Sequence, residues 1–154
     1  MKRILIVVTF LFSMIACEKT ITEDVNEPFE AVSSIPRLNF KSVNETTIDH
    51  YGDLVFKIEY MDGDGDLGSP NADEKTLFVV DNRDTIISMF HVIPLNPEPG
   101  NSHLITGVLE VYLDNVIMLN DTSQTEETNF TIYLYDQSGN KSNEVNSPTI
   151  TINR

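Results

Sequence analysis

Three aspartates near the middle of the chain have the types and spacing of a metal-binding loop. Asp62, Asp64 and Asp66 are separated by single glycines. Calcium prefers oxygen ligands, and glycines let the backbone curl so that several carboxylates converge on one cation. Asp and Gly are also common in exposed turns, so an acidic turn without metal is the alternative. We favour calcium because carboxylates this close together repel one another when no cation is bound.

This loop resembles the D-x-D-x-D opening of calcium loops in EF-hands and in related β-proteins. The resemblance implies a calcium ligand at the twelfth position, which is Asp73 in this sequence. The sixth position is Leu67, where an EF-hand loop has glycine. A strand pattern precedes the loop, whereas an EF-hand has a helix there. We therefore expect a calcium loop carried by a β-domain and not an EF-hand.

Catalytic patterns find little support in the sequence. The histidines His50, His91 and His103 do not form an H-E-x-x-H motif, and no G-x-S-x-G motif occurs. Glycoside hydrolysis by paired carboxylates needs one carboxyl group that stays protonated, whereas adjacent solvated aspartates stay ionised. We therefore expect a protein that is not an enzyme.

The segments that position the aspartates are predicted to be strands. From Ile35 onwards apolar side chains recur at every second position, which places them on one face of a strand. The apolar run 77–80, a turn at 81–84 and the segment 85–93 predict a hairpin of two central strands. The predicted inward side chains are Leu38, Phe40, Leu54, Phe56, Ile58, Tyr60, Leu109, Val111, Leu113, Phe130, Ile132, Leu134, Ile150 and Ile152. We expect an all-β domain over residues 35–154, an antiparallel immunoglobulin-like sandwich of about seven strands.

The segment 130–142 resembles the penultimate strand and following turn of bacterial immunoglobulin-like and fibronectin-III-like modules. An aromatic, alternating strand runs into a D-x-x-G-N-x-S turn that begins at Asp136. The resemblance implies the fold and not the function. If successive strands alternate in direction, the loops after Tyr60, Ile93 and Tyr135 lie at one end of the sandwich. We therefore expect Asp136 to act as a further ligand beside the aspartate loop.

The N-terminus carries a basic pair, Lys2 and Arg3, then an apolar run at 4–12, and then Ala16 and Cys17. This arrangement resembles the lipobox of bacterial lipoproteins. The resemblance implies a signal peptide at 1–16 and lipid attachment at Cys17, the only cysteine of the chain. A transmembrane anchor is the rival, but residues 4–15 as helix would reach only about 18 Å of the roughly 30 Å required. Residues 17–34 are acidic and lack periodicity, so we expect a solvated tether there.

Charge limits the partners of the chain. Its 24 acidic and 10 basic residues give a net charge of −14, which disfavours nucleic acid and anionic membrane surfaces. We expect a lipoprotein anchored in the cell envelope, at the outer membrane, whose domain is a non-enzymatic binding or structural module with a calcium-stabilised loop end. Its partner would be another envelope protein or a glycan. A carbohydrate-binding accessory lipoprotein is the alternative.

Overall fold

A computed structural model describes residues 33–96 and 103–154, and these residues form strands and loops. No helix occurs in these two ranges, so neither contains a helix long and apolar enough to cross a membrane. The prediction of an all-β fold is confirmed. The strands are β1 (Arg37–Val43), β2 (Thr47–Asp49), β3 (Gly52–Asp62), β4 (Leu77–Asp81), β5 (Ile87–Phe90), β6 (Ile105–Val116), β7 (Thr125–Thr128), β8 (Phe130–Leu134), β9 (Val145–Asn146) and β10 (Ile150–Asn153).

The strands form three sheets, with the orders β1-β3-β6, β5-β4-β8-β9 and β2-β10-β7. The first two sheets are antiparallel, and β3 pairs with β6 along nearly its whole length. In the third sheet β10 is antiparallel to β7 but parallel to β2. Only Asn129 separates β7 from β8, and only residues 147–149 separate β9 from β10. The chain therefore passes twice between the second and third sheets.

The strand count differs from the predicted number, because the described residues contain ten strands where about seven were expected. The additional strands β2, β7 and β9 are two to four residues long and mostly polar. Such segments carry no alternating apolar pattern, so only their partners make them strands. The parallel pairing of β2 with β10 also departs from the purely antiparallel arrangement that was expected.

The predicted inward side chains form the hydrophobic core. Leu54, Phe56 and Ile58 of β3 have no exposed surface, and Ile132 of β8 is equally buried. The ring of Phe56 lies 5.4 Å from that of Phe130, so the first two sheets share one core. Burying a side chain of this size stabilises the fold by about 1.5–3 kcal/mol. The result is a β-sandwich-like domain.

The predicted hairpin exists, but only one of its strands is central. β4 lies between β5 and β8, whereas β5 is an edge strand. The prediction of a central position was therefore wrong for β5. An apolar run predicts burial on both faces, yet Ile87 and Met89 point outward and are 46% and 59% exposed.

A half-buried charged network joins the end of β4 to β7. Arg83 donates hydrogen bonds to the carboxylates of Asp81 and Glu126, and Thr128 donates to Asp81 at 2.7 Å. Arg83 also donates to the carbonyl oxygen of Ile117, just beyond β6. Burial raises the pKa of Asp81, but the hydrogen bonds from Arg83 and Thr128 outweigh it and hold this pKa below its usual value. The network thus ties the second and third sheets to the end of β6.

Candidate metal site

The three aspartates lie where β3 runs into the loop that follows it. Asp62 is the last residue of β3 and is fully buried, and Asp64 and Asp66 are half-buried. Each offers one carboxylate oxygen, and these three oxygens lie within 4.8 Å of one another. Because calcium binds oxygens at about 2.3–2.6 Å, one ion can contact all three. The group can hold a metal ion.

Two glycines allow the loop its path. Gly65 and Gly68 have φ values of +72° and +83°, in the left-handed region that favours glycine. A Cβ atom at Gly65 would lie 2.6 Å from the carbonyl oxygen of His103, and one at Gly68 would overlap the carbonyl group of Ile93. The loop therefore packs closely against the segments on both sides of residues 97–102.

Hydrogen bonds orient two of the three carboxylates. Oδ2 of Asp62 accepts from the backbone N–H of Asp66 at 3.0 Å. Oδ2 of Asp66 accepts from the backbone N–H and the hydroxyl of Ser138, at 3.1 and 2.7 Å. Because these hydrogen bonds engage Oδ2 of Asp62 and of Asp66, the Oδ1 atom of each residue remains available to a ligand.

The remaining oxygens lack partners. Oδ1 of Asp62, of Asp64 and of Asp66 is buried, and none accepts a hydrogen bond from the described residues. Leaving a buried polar atom without a partner costs about 1–3 kcal/mol, and more when the group is charged. Three such atoms in one group are therefore the strongest indication of a bound cation.

The electrostatics of the three carboxylates also favour a bound cation. Burial and the negative charges of Asp64, Asp66 and Asp136 together raise the pKa of Asp62 to about 6, against the opposing hydrogen bond from the Asp66 backbone. A divalent cation would reverse this repulsion, because it stabilises the ionised form of every carboxylate it contacts.

Three loops meet around the aspartates, as alternating strand directions predict. The N–H of Ser69 donates to the carbonyl oxygen of Val92 at 2.8 Å, and that of Leu95 donates to Leu67 at 3.1 Å. From the third loop, the N–H of Gln137 donates to the carbonyl oxygen of Asp66 at 3.2 Å. The aspartate loop is thus held between the segments that follow β5 and β8.

The other two predicted ligands are placed differently. Asp136 is buried beside the loop and forms an isolated bridge with Leu67, but its two carboxylate oxygens accept hydrogen bonds from Asn140. Asp73 is exposed in a turn, where its N–H donates to the side chain of Asn71. Neither belongs to the group of three carboxylates.

Two contacts of the site were not predicted from the sequence. Ser138, which holds Asp66, lies in the D-x-x-G-N-x-S turn that indicated only the fold. The carbonyl oxygen of Ser33 accepts a hydrogen bond from the N–H of Gly63 at 3.1 Å, although Ser33 belongs to the predicted tether. No sequence signal marks Ser33.

Hydrogen bonds join His50 and His91 to other parts of the fold. Nδ1 of His50 accepts from the N–H of Met118, and Nδ1 of His91 bonds to the carbonyl oxygen of Glu74. Cys17 and the predicted signal peptide at 1–16 lie outside the described residues.

No family model, no curated protein and no solved structure matches this chain. The site is therefore interpreted from its own geometry.

Proposed function

We propose that this protein is a cell-envelope lipoprotein whose β-domain is a non-enzymatic binding or structural module, with one loop end stabilised by calcium. The observation that carries this proposal is the set of buried, unpartnered Oδ1 atoms on Asp62, Asp64 and Asp66. Calcium suits the group better than magnesium does, because magnesium demands a rigid octahedral shell and gives up its water reluctantly.

The sheet arrangement supports an immunoglobulin-like sandwich. β7 and β8 follow one another almost without interruption, and so do β9 and β10. If each of these pairs is counted as one strand, and β1 with β2 as another, the chain makes seven passes. The second and third sheets then form one layer, which packs opposite β1-β3-β6. This division into two layers is typical of immunoglobulin-like and fibronectin-III-like modules.

The anchoring part of the proposal rests on the N-terminal sequence. The basic pair, the apolar run and the Ala16–Cys17 junction favour lipidation at Cys17 and attachment to the outer membrane. Intact-mass analysis of the membrane fraction should show an acylated chain that begins at Cys17. A Cys17→Ser variant that still partitions into membranes would contradict this part.

A carbohydrate-binding role has less support than a protein-binding or structural one. Sugars stack on flat aromatic faces, and Tyr133 is one of the tyrosines that point outward. Its ring is already stacked with Phe78, at 5.1 Å between centroids, and Nζ of Lys141 lies 4.0 Å from its centre. These contacts occupy the ring that a sugar would need.

Calcium titration of Asp64→Asn tests the metal site. Extracellular calcium modules bind with dissociation constants of about 10⁻⁴ to 10⁻³ M, and we expect the unmodified protein to fall in this range. Because Asp64→Asn removes one ligand charge, it should weaken calcium binding by about tenfold or more in titration calorimetry. It should leave the metal-free fold intact or slightly more stable, because one repelling charge is gone.

Asp121→Asn is the matched control, because Asp121 is exposed and outside the group. It makes the same chemical change and should leave calcium binding unchanged. Asp73→Asn makes the same change at the twelfth loop position, and calcium titration of this variant tests whether Asp73 is a ligand. Absence of binding at millimolar calcium, or equal binding by Asp64→Asn and Asp121→Asn, would refute the calcium site.

A further inference from the structure

The outward side of the four-stranded sheet β5-β4-β8-β9 is mainly apolar, and its polar members are Thr131 and Asn146. Strand alternation turns five apolar side chains of these strands away from the core, and Tyr135, directly after β8, lies on the same side. We name these six residues the outer apolar face. Its members are Phe78, Val80, Ile87, Met89, Tyr133 and Tyr135. Met89 is 59% exposed and Tyr135 is 37% exposed. The outer side of a sandwich sheet is usually polar, so this face is unusual for a surface in contact with water.

The outward side of β1-β3-β6 is more mixed, because charged side chains stand there beside the exposed Met61, Val108 and Tyr112. It carries the exposed ion pairs Lys41–Glu59 and Lys57–Glu110, at 3.0 and 2.9 Å. By contrast, no outward position of the described strands β4, β5, β8 and β9 is an aspartate or glutamate, although the chain has 24 acidic residues. The outer apolar face therefore carries no carboxylate.

The aromatic side chains of the outer apolar face are already packed against one another. Phe78 stacks on Tyr133, and the ring of Tyr135 meets Phe78 and Tyr133 edge-on at 5.7 and 6.0 Å. Such packing restricts the side chains before any partner arrives, which lowers the entropy lost on association. The face is thus suited to pack against another preformed surface.

We propose that the outer apolar face packs against the same face of a second copy of this chain, around a two-fold axis. In such an interface each surface meets its own copy, so a carboxylate on it would lie close to like charge. A face without carboxylates lets an acidic chain pair with itself without bringing like charges together, and the outer apolar face has this property.

The charges at the rim of the face are self-complementary. Lys141, which lies over Tyr133, pairs with Glu144 at 2.7 Å, and both side chains are partly exposed. A two-fold axis allows each lysine to exchange its glutamate for that of the other copy. A basic partner would instead be drawn to the acidic surfaces, and an anionic membrane would be repelled by the net charge.

The edge strand β5 also favours a second copy of this chain as the partner of the outer apolar face. Edge strands are usually protected by lysine, proline or a bulge, but Ile87–Phe90 has neither residue type and pairs with β4 without a register shift. A second copy on the outer apolar face would shield the exposed side chains of β5.

Cysteine cross-linking of the full chain in intact cells tests this proposal. Cys17 is the only native cysteine, and in the proposed lipoprotein its thiol carries the lipid, so a single added cysteine reports its own position. Met89→Cys and Tyr135→Cys lie on the outer apolar face. Tyr112→Cys is the matched control, because Tyr112 is 57% exposed on the outward side of β6. With copper phenanthroline as oxidant, at least one of the first two should form a disulfide-linked dimer several-fold more efficiently than Tyr112→Cys.

A charge variant provides the second measurement. Met89→Glu places a carboxylate on the face and should reduce dimer formation by Tyr135→Cys several-fold, whereas Tyr112→Glu should not. An unchanged calcium response would show that the Met89→Glu chain is folded. Equal cross-linking at all positions, insensitivity to Met89→Glu, or a product whose mass identifies a different protein would overturn the proposal.

Discussion

At the scale of single residues, Asp62 combines a structural role with that of a candidate metal ligand. It ends β3 on the core side, fixes the loop through the N–H of Asp66, and aims its second oxygen at the other aspartates. The same burial that positions this side chain makes its charge costly when no cation is bound. Asp62 is therefore the residue at which pH and metal affect stability together.

We predict that, because of Asp62, the metal-free protein loses stability relative to an Asp62→Asn variant as the pH rises from about 4 through about 6. The folded-state pKa of Asp62 is raised from its usual 3.8 to about 6, so in this window the folded chain binds more protons than the unfolded chain. Stability then falls with rising pH, because the unfolded chain ionises Asp62 without burial. Thermal melting in chelator at several pH values measures this slope.

Asp62→Asn is the control for this prediction, because the amide does not titrate. Carboxylates with lowered pKa values, such as Asp81, contribute stability that is lost in acid, and this contribution is the same in both chains. The difference between the two melting curves isolates Asp62. Parallel curves from pH 4 to 7 would contradict the prediction.

At the scale of elements, glycines allow the tight loops to form. The half-buried network around Arg83 joins the second and third sheets. Gly68 and Gly139 have nearly the same φ, +83° and +85°, but different surroundings. A Cβ atom at Gly68 would overlap the backbone of residues 92 and 93, whereas one at Gly139 would meet nothing within 4 Å. A comparison of alanine substitutions at Gly68 and Gly139 therefore separates the cost of the positive φ from the cost of steric overlap.

We predict that Gly68→Ala destabilises the fold much more than Gly139→Ala does. The left-handed conformation alone costs an alanine about 1–2 kcal/mol, which applies to both variants. The overlap with the neighbouring segment should raise the cost of Gly68→Ala to about 3 kcal/mol or more. Chemical denaturation of both variants measures the difference, and equal losses would show that residues 92 and 93 shift without cost.

Arg83 provides a second prediction at this scale. Removing it leaves the carboxylates of Asp81 and Glu126 without their cation, and these side chains are only 15% and 12% exposed. Arg83→Ala should therefore cost about 3–5 kcal/mol, as is typical of a broken buried pair. The matched control is Lys57→Ala, which breaks the half-exposed pair with Glu110 and should cost at most about 1 kcal/mol. Similar losses in both variants would argue against a structural role for the network.

At the scale of the whole molecule, the candidate metal site contacts the first residues of the domain that the structure describes. The tether was predicted to end at Ser34, yet Ser33 bonds to Gly63 inside the aspartate loop. Pro36 is fully buried two residues beyond the predicted boundary. The loop, the strand ends and the start of the domain are thus one connected region.

We predict that a chain beginning at Ser33 binds calcium more tightly than one beginning at Ile35. The shorter chain lacks the carbonyl oxygen that accepts from Gly63, so its loop is less restrained before the ion binds. Its stability without calcium should change by only about 1 kcal/mol, the contribution of one hydrogen bond. Calorimetry and melting of both chains check this, and equal affinities would exclude a role for Ser33.

Local patterns were sufficient for the fold class, most of the core and the aspartate group. Period-two alternation depends only on neighbouring residues, so it identified Leu54, Phe56 and Ile58 as buried. The D-x-D-x-D spacing likewise brings Asp62, Asp64 and Asp66 together because the carboxylates are close along the chain. These conclusions need no knowledge of distant contacts.

Only the tertiary structure decided the features that depend on distant parts of the chain. Ser138 orients Asp66 from 72 positions away, and the carboxylate of Asp136 is engaged by Asn140. The apolar sequence of β5 is compatible with a central strand, and only its lack of a second neighbour makes it an edge. Pairing and hydrogen-bond partners are properties of the folded chain, because they are set by which segments meet and not by the composition of any one of them.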